Sequence, residues 1–327
     1  MRAIVIHAHG GVDQLRPADL PKPEPGEYDL LVQVHATSVN PVDIKVRENR
    51  RGARPMPVVL GYDASGVVTA CGSRVTGFKP GDEVFGCPSL FGQGAYAEYV
   101  LLDFRAAAHK PSRLDHTQAA VLPLVGLTAW EALHERARVK AGQTLLIHGG
   151  AGGVGHVAIQ LARLHGCRVW TTAGRSESIE FCRDALGVDE VIAYKNQDFV
   201  QRVEQLTAGA GVPAVFDTVG EETFRRSIDC VSPCGQLVTI LGSDPGDRGD
   251  TLLYRSITVH YEFMGARVAY GVAPERQGAI LRSIAALVDR KMLTPHISAC
   301  FPLDQVAEGQ RQVATGHTIG KVSIEVR

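Results

Sequence analysis

A run of glycines, Gly149-Gly150-Ala151-Gly152-Gly153-Val154-Gly155, constrains this chain more than any other feature. It follows the compact apolar segment Thr144–His148. It precedes a stretch in which Val154, Val157, Ala158, Leu161 and Ala162 fall at helical spacing. Gly150, Gly152 and Gly155 satisfy G-x-G-x-x-G, and Gly153 and Val154 complete the turn into the helix. A strand, a glycine turn and a helix in that order let a pyrophosphate approach backbone N–H groups with no Cβ in the way. The alternative for a glycine cluster alone is a flexible loop, and the flanking periodicities argue against it.

Strands and helices alternate from there on, the signature of a parallel sheet. Strands are expected at Arg168–Thr172, Glu190–Ala193, Ala214–Asp217, Leu237–Leu241 and Ile257–Tyr261. Helices are expected over Glu177–Leu186, from Asp198 as cap to Leu206, and over Glu222–Val231. The expectation is a six-stranded, doubly wound Rossmann sheet over residues 124–261. The second strand ends in Thr172-Ala173-Gly174-Arg175-Ser176, with no carboxylate for the ribose hydroxyls. The Arg175 guanidinium and Ser176 hydroxyl suit a 2′-phosphate, so NADPH is the expected cofactor. A solvated surface arginine is the alternative.

The first third reads differently. Val32, Val34 and Ala36 alternate with Gln33 and His35, Gly66–Cys71 and Tyr96–Val100 are strand-like, and Lys79-Pro80-Gly81-Asp82 is a turn. One helix signal lies near Leu114–Ala120. After residue 261 come a long amphipathic helix with Ile280, Ile284, Leu287 and Val288 on one face, then strand-like pieces at His296–Phe301 and Val322–Val326. Those pieces are too few for a domain, so residues 262–327 are expected to join 1–123 in a β-rich, barrel-like unit.

Composition narrows the function classes. Thirty-four basic against 35 acidic residues give no field for a polyanion, so no nucleic-acid partner is expected. No apolar run reaches membrane-spanning length, so no membrane partner is expected, and Met1–His7 reads as a strand rather than a signal peptide. Seven scattered cysteines with no CxxC pair fit a reducing, cytoplasmic setting. No Ser-His-Asp or Cys-His pattern argues for hydrolysis, and His148 reads as packed.

Further segments carry a family resemblance. They are Ser38-Val39-Asn40-Pro41-Val42-Asp43-Ile44-Lys45, Gly61-Tyr62-Asp63-Ala64-Ser65-Gly66-Val67-Val68 and Phe78-Lys79-Pro80-Gly81-Asp82-Glu83-Val84-Phe85-Gly86. Leu122-Pro123-Leu124-Val125-Gly126-Leu127-Thr128-Ala129-Trp130, the glycine turn and Gly320-Lys321-Val322 extend the pattern. The chain resembles the medium-chain dehydrogenase/reductase superfamily in its zinc-free quinone oxidoreductase (zeta-crystallin-like) branch. The resemblance implies a GroES-like catalytic domain around the Rossmann insert, and a homodimer formed through Rossmann sheet edges. Zinc-using relatives carry a cysteine where Asn40 stands and a His-Glu pair where Tyr62-Asp63 stands. Asn and Tyr are poor zinc ligands, so no metal is expected.

The reaction so implied is hydride transfer to a quinone or an α,β-unsaturated carbonyl, with hydrogen bonds to the acceptor oxygen. Asn40, Tyr62 and Lys45 are the candidate donors, Tyr62 alternatively being a barrel aromatic; Asp43 caps or orients neighbours. The resemblance places Thr128 beside the nicotinamide and Tyr194 near the adenine ribose or its phosphate. It places Leu241-Gly242 and Phe263-Met264 along the nicotinamide half. The bland alternatives are a strand end for Tyr194 and core positions for Phe263 and Met264. Other readings are an enoyl-type reductase, or a non-enzymatic cofactor- or RNA-binding protein. The loops Arg47–Pro57 and Ser243–Thr251, which could shape a substrate pocket, carry no readable code.

Overall fold

The computed structural model describes residues 1–49 and 55–327, so residues 50–54 of the Arg47–Pro57 loop lie outside the described part. In chain order the strands are β1 (Arg2–Ile6), β2 (Arg16–Asp19), β3 (Asp29–Val39), β4 (Val58–Val59), β5 (Ala64–Cys71), β6 (Glu83–Gly86), β7 (Tyr99–Asp103) and β8 (Ala107–His109). Then follow β9 (Thr144–Ile147), β10 (Arg168–Ala173), β11 (Glu190–Ala193), β12 (Val212–Asp217), β13 (Val231–Thr239), β14 (Thr258–Tyr261), β15 (Ile297–Pro302) and β16 (Lys321–Glu325). The chain divides into two compact units, Met1–Leu127 with Gly265–Arg327, and Thr128–Met264.

The first unit is the GroES-like, β-rich one. Its larger sheet runs β15-β16-β3-β5-β6-β8, with β7 also on β3, and β2-β1-β4 form a smaller sheet. Alternation sets the register of β3: Leu30, Val32, Val34 and Ala36 are buried, while Gln33 and His35 are half-exposed. A slip by one residue would bury Gln33 and His35 and expose the valines, at about 1.5–3 kcal/mol for each large apolar side chain lost from the core. The last strand closes this sheet from the far end of the sequence, with Val322 opposite Val39 and Ser323 opposite Ser38. That pairing brings Lys321 beside Asn40, the residue that follows β3 and caps the next helix.

The second unit is a Rossmann sheet, all parallel, in the order β11-β10-β9-β12-β13-β14. Order reverses between β9 and β12, the switch point where open α/β sheets take ligands beyond their strand carboxyl ends. Leu146, Trp170, Ile192, Val215, Phe224 and Leu237 are among the residues of its core.

Several elements differ from the sequence reading. The helix Pro41–Arg47 went unread because it is short and Pro41 looks like a breaker, whereas proline fits the first turn, where its missing N–H is not needed. The helix Val306–Ala314 also went unread. The expected helix Glu177–Leu186 is an α-turn over Ser176–Glu180 that widens into a π-turn over Phe181–Ala185. The fifth Rossmann strand begins at Val231, earlier than Leu237, because the register shift between Val212 and Ala214 and the positive φ of Cys234 let it pass Pro233 and Gly235. Leu287 is half-exposed, and Leu281 takes its expected place in the core.

Candidate functional site

The glycine run lies where β9 ends, and the 12-residue helix Gly153–Leu164 starts directly from it with Gly152 as cap. Its first turn has no acidic residue. The N–H groups of Gly153, Val154 and Gly155 therefore face out of the helix end with no acceptor within it. The close approach is real: a Cβ at Gly155 would lie 2.2 Å from the Gly149 carbonyl oxygen, and one at Gly150 would lie 2.1 Å from Thr171 Oγ1. The turn is held from β10, since the Gly149 N–H donates to Thr172 Oγ1 at 3.1 Å and the Gly150 N–H to the Thr172 carbonyl at 3.2 Å. From β12's end, Thr218 Oγ1 donates to the His148 carbonyl at 2.8 Å. Thr171, Thr172 and Thr218 escaped the sequence reading; hydroxyls at the ends of apolar strands were the available signal.

His148 is packed and fully hydrogen-bonded, Nδ1 being 3.1 Å from Thr172 Oγ1 and Nε2 2.9 Å from Ser227 Oγ. Burial pushes its pKa down to about 4, so the ring is neutral.

The remaining cofactor candidates, Thr128 apart, follow the carboxyl ends of the same sheet's strands. Arg175 caps the helix that Ser176 opens, directly past β10. Tyr194 follows β11, is 54% exposed, and lies against Gly174, where a Cβ would come within 2.5 Å of the phenol oxygen. Gly174, the residue before Arg175, thus leaves room for the Tyr194 ring. Leu241 and Gly242 lie just past β13, the first half-buried over Gly220 and the second exposed. Phe263 (exposed) and Met264 (buried) follow β14. Thr128 is buried on the helix Pro123–Trp130. Apart from Thr128, every candidate lies beyond the carboxyl end of a parallel strand. The residues fit a dinucleotide: N–H donors for the pyrophosphate, an open glycine cradle, and a guanidinium with hydroxyls past the second strand.

The first unit holds a buried polar cluster. Asp63, completely buried, accepts from Ser38 Oγ at 2.5 Å, Asn40 Nδ2 at 2.7 Å and the Leu124 N–H at 2.7 Å. Lys321 Nζ lies 3.5 Å from the same carboxylate and donates to Asn40 Oδ1 at 2.5 Å. Burial lowers the Lys321 pKa, opposed by Asp63 and Asp43. Asp43 accepts from the Asn40 N–H at 2.7 Å and the Gly61 N–H at 2.9 Å, and so orients its neighbours. Burial raises its pKa to about 7.

Asn40 is 1% exposed with both ends of its amide engaged in this cluster, and Tyr62 is completely buried. Lys45 is half-buried on the helix Pro41–Arg47. Asp63 and Lys321 were not singled out from sequence. Their signal was a charged residue within each of two otherwise apolar motif stretches.

Both carboxylate oxygens of Asp63 thus accept from protein donors, Oδ1 from the Leu124 N–H and Oδ2 from Ser38 and Asn40. Among the described residues, no group of three His, Cys, Asp or Glu side chains is arranged to hold a metal ion. No helix among them is long and apolar enough to cross a membrane.

Comparison with known proteins gives a consistent picture. Residues 26–112 match a family model described as alcohol dehydrogenase GroES-like domain, and residues 186–324 match one described as zinc-binding dehydrogenase. The chain is 32% identical over 323 residues to a quinone oxidoreductase of Pseudomonas aeruginosa, covering 98% of each chain. A solved alcohol dehydrogenase superfamily protein from Novosphingobium aromaticivorans superposes with a TM-score of 0.92 at 35% identity over the whole of both chains. The Escherichia coli quinone oxidoreductase solved with NADPH gives 0.91 at 26% identity, again over the whole of both.

Proposed function

The chain belongs to the quinone oxidoreductase branch of the medium-chain dehydrogenase/reductase superfamily, and from that premise we propose that it reduces quinones or α,β-unsaturated carbonyls with NADPH and without a catalytic metal. The observation that carries the cofactor half is the placing of Arg175 and Ser176 directly after Gly174, with Tyr194 lying against that glycine and no carboxylate among residues 172–176. A guanidinium and two hydroxyls suit a 2′-phosphate, and the strand end itself carries no carboxylate for a free ribose hydroxyl pair. The Escherichia coli relative, solved with NADPH, supports the same choice.

When bound, NADPH supplies the hydride. The glycine turn and the N–H groups of Gly153, Val154 and Gly155 hold its pyrophosphate. Thr128, Leu241, Gly242, Phe263 and Met264 line the nicotinamide half, and their backbone and apolar contacts orient the ring. In the first unit, Lys45 keeps surface exposed and is the donor we assign to the acceptor oxygen. Asn40 acts from inside the buried cluster. Asn40 positions the start of the helix that carries Lys45, and Tyr62 is the hydroxyl nearest in sequence to Asp63.

The zinc-free reading rests on the donor set. Asn40 and Tyr62 replace the cysteine and histidine of zinc-using relatives, and Asp63 is neutralised by Lys321. An acceptor that is already electrophilic suits such a site, because its developing charge delocalises onto oxygen. We also propose a homodimer through β14, which pairs only with β13 among the described strands. A monomeric mass by light scattering would remove that assignment.

The functional test is oxidation of NADPH and of NADH with 9,10-phenanthrenequinone and with a simple alkenal, after chelator treatment. NADPH-linked turnover that survives the chelator is expected. Turnover abolished by the chelator and restored by zinc would overturn the metal-free reading, and preference for NADH would overturn the cofactor.

A further inference from the structure

In the second unit, the helix that carries Thr128 continues beyond Trp130. A π-turn over Glu131–Arg136 extends it, closed by a bond from the Ala137 N–H to the Ala132 carbonyl at 2.9 Å. Such widened turns put a side chain where a regular helix would not, and they recur at functional sites. Here the side chain is Arg136, whose Nε donates to Glu262 Oε2 at 2.6 Å. Glu262 follows β14 directly, and its own N–H is tied to the Thr239 carbonyl of β13 at 2.8 Å.

The Glu262 side chain is wholly buried, whereas that of Arg136 is 39% exposed. Glu262 Oε1 is buried and has no hydrogen-bond partner among the described residues. A buried carboxylate with one oxygen unmet is costly, and an apolar residue would avoid the cost. Such a group in a native core calls for a reason beyond packing.

Position supplies one. Arg136 lies about two turns along from Thr128 on one continuous helix. Glu262 immediately precedes Phe263 and Met264. A helix and a strand packed face to face share no backbone hydrogen bonds, so only side chains fix the sliding of one along the other. A short, charge-assisted bond does this with direction as well as strength. We propose that Arg136 and Glu262 are a positioning pair that sets the helix bearing Thr128 against the strand end bearing Phe263 and Met264, and so shapes the nicotinamide half of the site. The inference rests on the dinucleotide reading of those three residues.

The test compares two probes in the full chain with Glu262→Gln, which keeps size and one acceptor oxygen. NADPH spans both halves of the site, and 2′,5′-ADP occupies only the adenosine half. Affinity for NADPH is expected to fall about tenfold, a loss of about 1.4 kcal/mol, with kcat for the quinone also reduced and 2′,5′-ADP binding unchanged. Where Glu262→Gln does not fold, Arg136→Gln, which removes a partly exposed group, carries the same comparison. Equal losses for both probes, or no change in either, would overturn the positioning role. If the unaltered protein binds neither probe, the dinucleotide reading itself fails and takes this inference with it.

Discussion

The ammonium of Lys321 lies 3.5 Å from the carboxylate of Asp63, with the two side chains 3% and 0% exposed. Neither charge has water to fall back on. Lys321→Met should therefore cost about 3–5 kcal/mol of stability, because it leaves the Asp63 charge buried and short of a counter-ion. Urea unfolding measures this directly. A loss under about 1 kcal/mol, the range of exposed pairs, would show that the pair does not brace the first unit.

The glycine turn offers a graded test. A Cβ at Gly155 would meet the Gly149 carbonyl oxygen at 2.2 Å, whereas one at Gly152 would meet the same oxygen at 3.2 Å. Gly155→Ala should force the turn open and abolish NADPH binding in a fluorescence titration. Gly152→Ala should weaken binding only modestly. Equal losses would mean that the approach of backbone to backbone does not set the cradle's shape.

Arg175→Ala should discriminate between the two nicotinamide cofactors. Hydrogen bonds to charged groups contribute about 1.5–3 kcal/mol, so NADPH should weaken roughly ten- to a hundredfold. NADH, which lacks the 2′-phosphate, should change little. Dissociation constants for both cofactors decide it, and a matched loss would move Arg175 out of the phosphate site.

His148 makes acid stability predictable in sign. Burial holds its pKa at about 4, against an ordinary 6.5. Between those values the unfolded chain binds a proton that the folded chain refuses, so its contribution is present above pH 6.5 and declines as pH falls toward 4. Asp43 runs the other way, its contribution fading as pH rises through about 7. His148→Gln should flatten the loss of stability between pH 6.5 and pH 4, measured as urea midpoints across that window. An unchanged slope would assign the acid sensitivity to other groups, among them His116 and His134, which burial also lowers to about 4.

How much of this was legible depends on whether the cause is local. The glycine turn, the strand β3 and the cap at Asp198 are written in neighbouring residues, and the structure has them in place; Asp198 accepts from the Val200 N–H at 2.9 Å. Arg175 and Tyr194 could be named from sequence, but the approach of Tyr194 to Gly174, the residue before Arg175, needs two strands to pair. Asn40 reads as a donor free for chemistry only until Asp63 and Lys321 arrive to occupy it. Those partners come from the residue before β5 and from β16, and no local periodicity records them. The bond between Arg136 and Glu262 is hidden twice, by its span in sequence and by a π-turn that regular spacing does not anticipate.

The pairing of β16 with β3 also bears on the order of synthesis. A ribosome releasing this chain delivers all of Thr128–Met264 as one continuous stretch, able to assemble its parallel sheet while translation proceeds. The unit begun first must wait. Its sheet lacks a strand, and Asp63 lacks its cation, until Lys321–Glu325 emerges, so the unit begun before the Rossmann stretch is completed only after it.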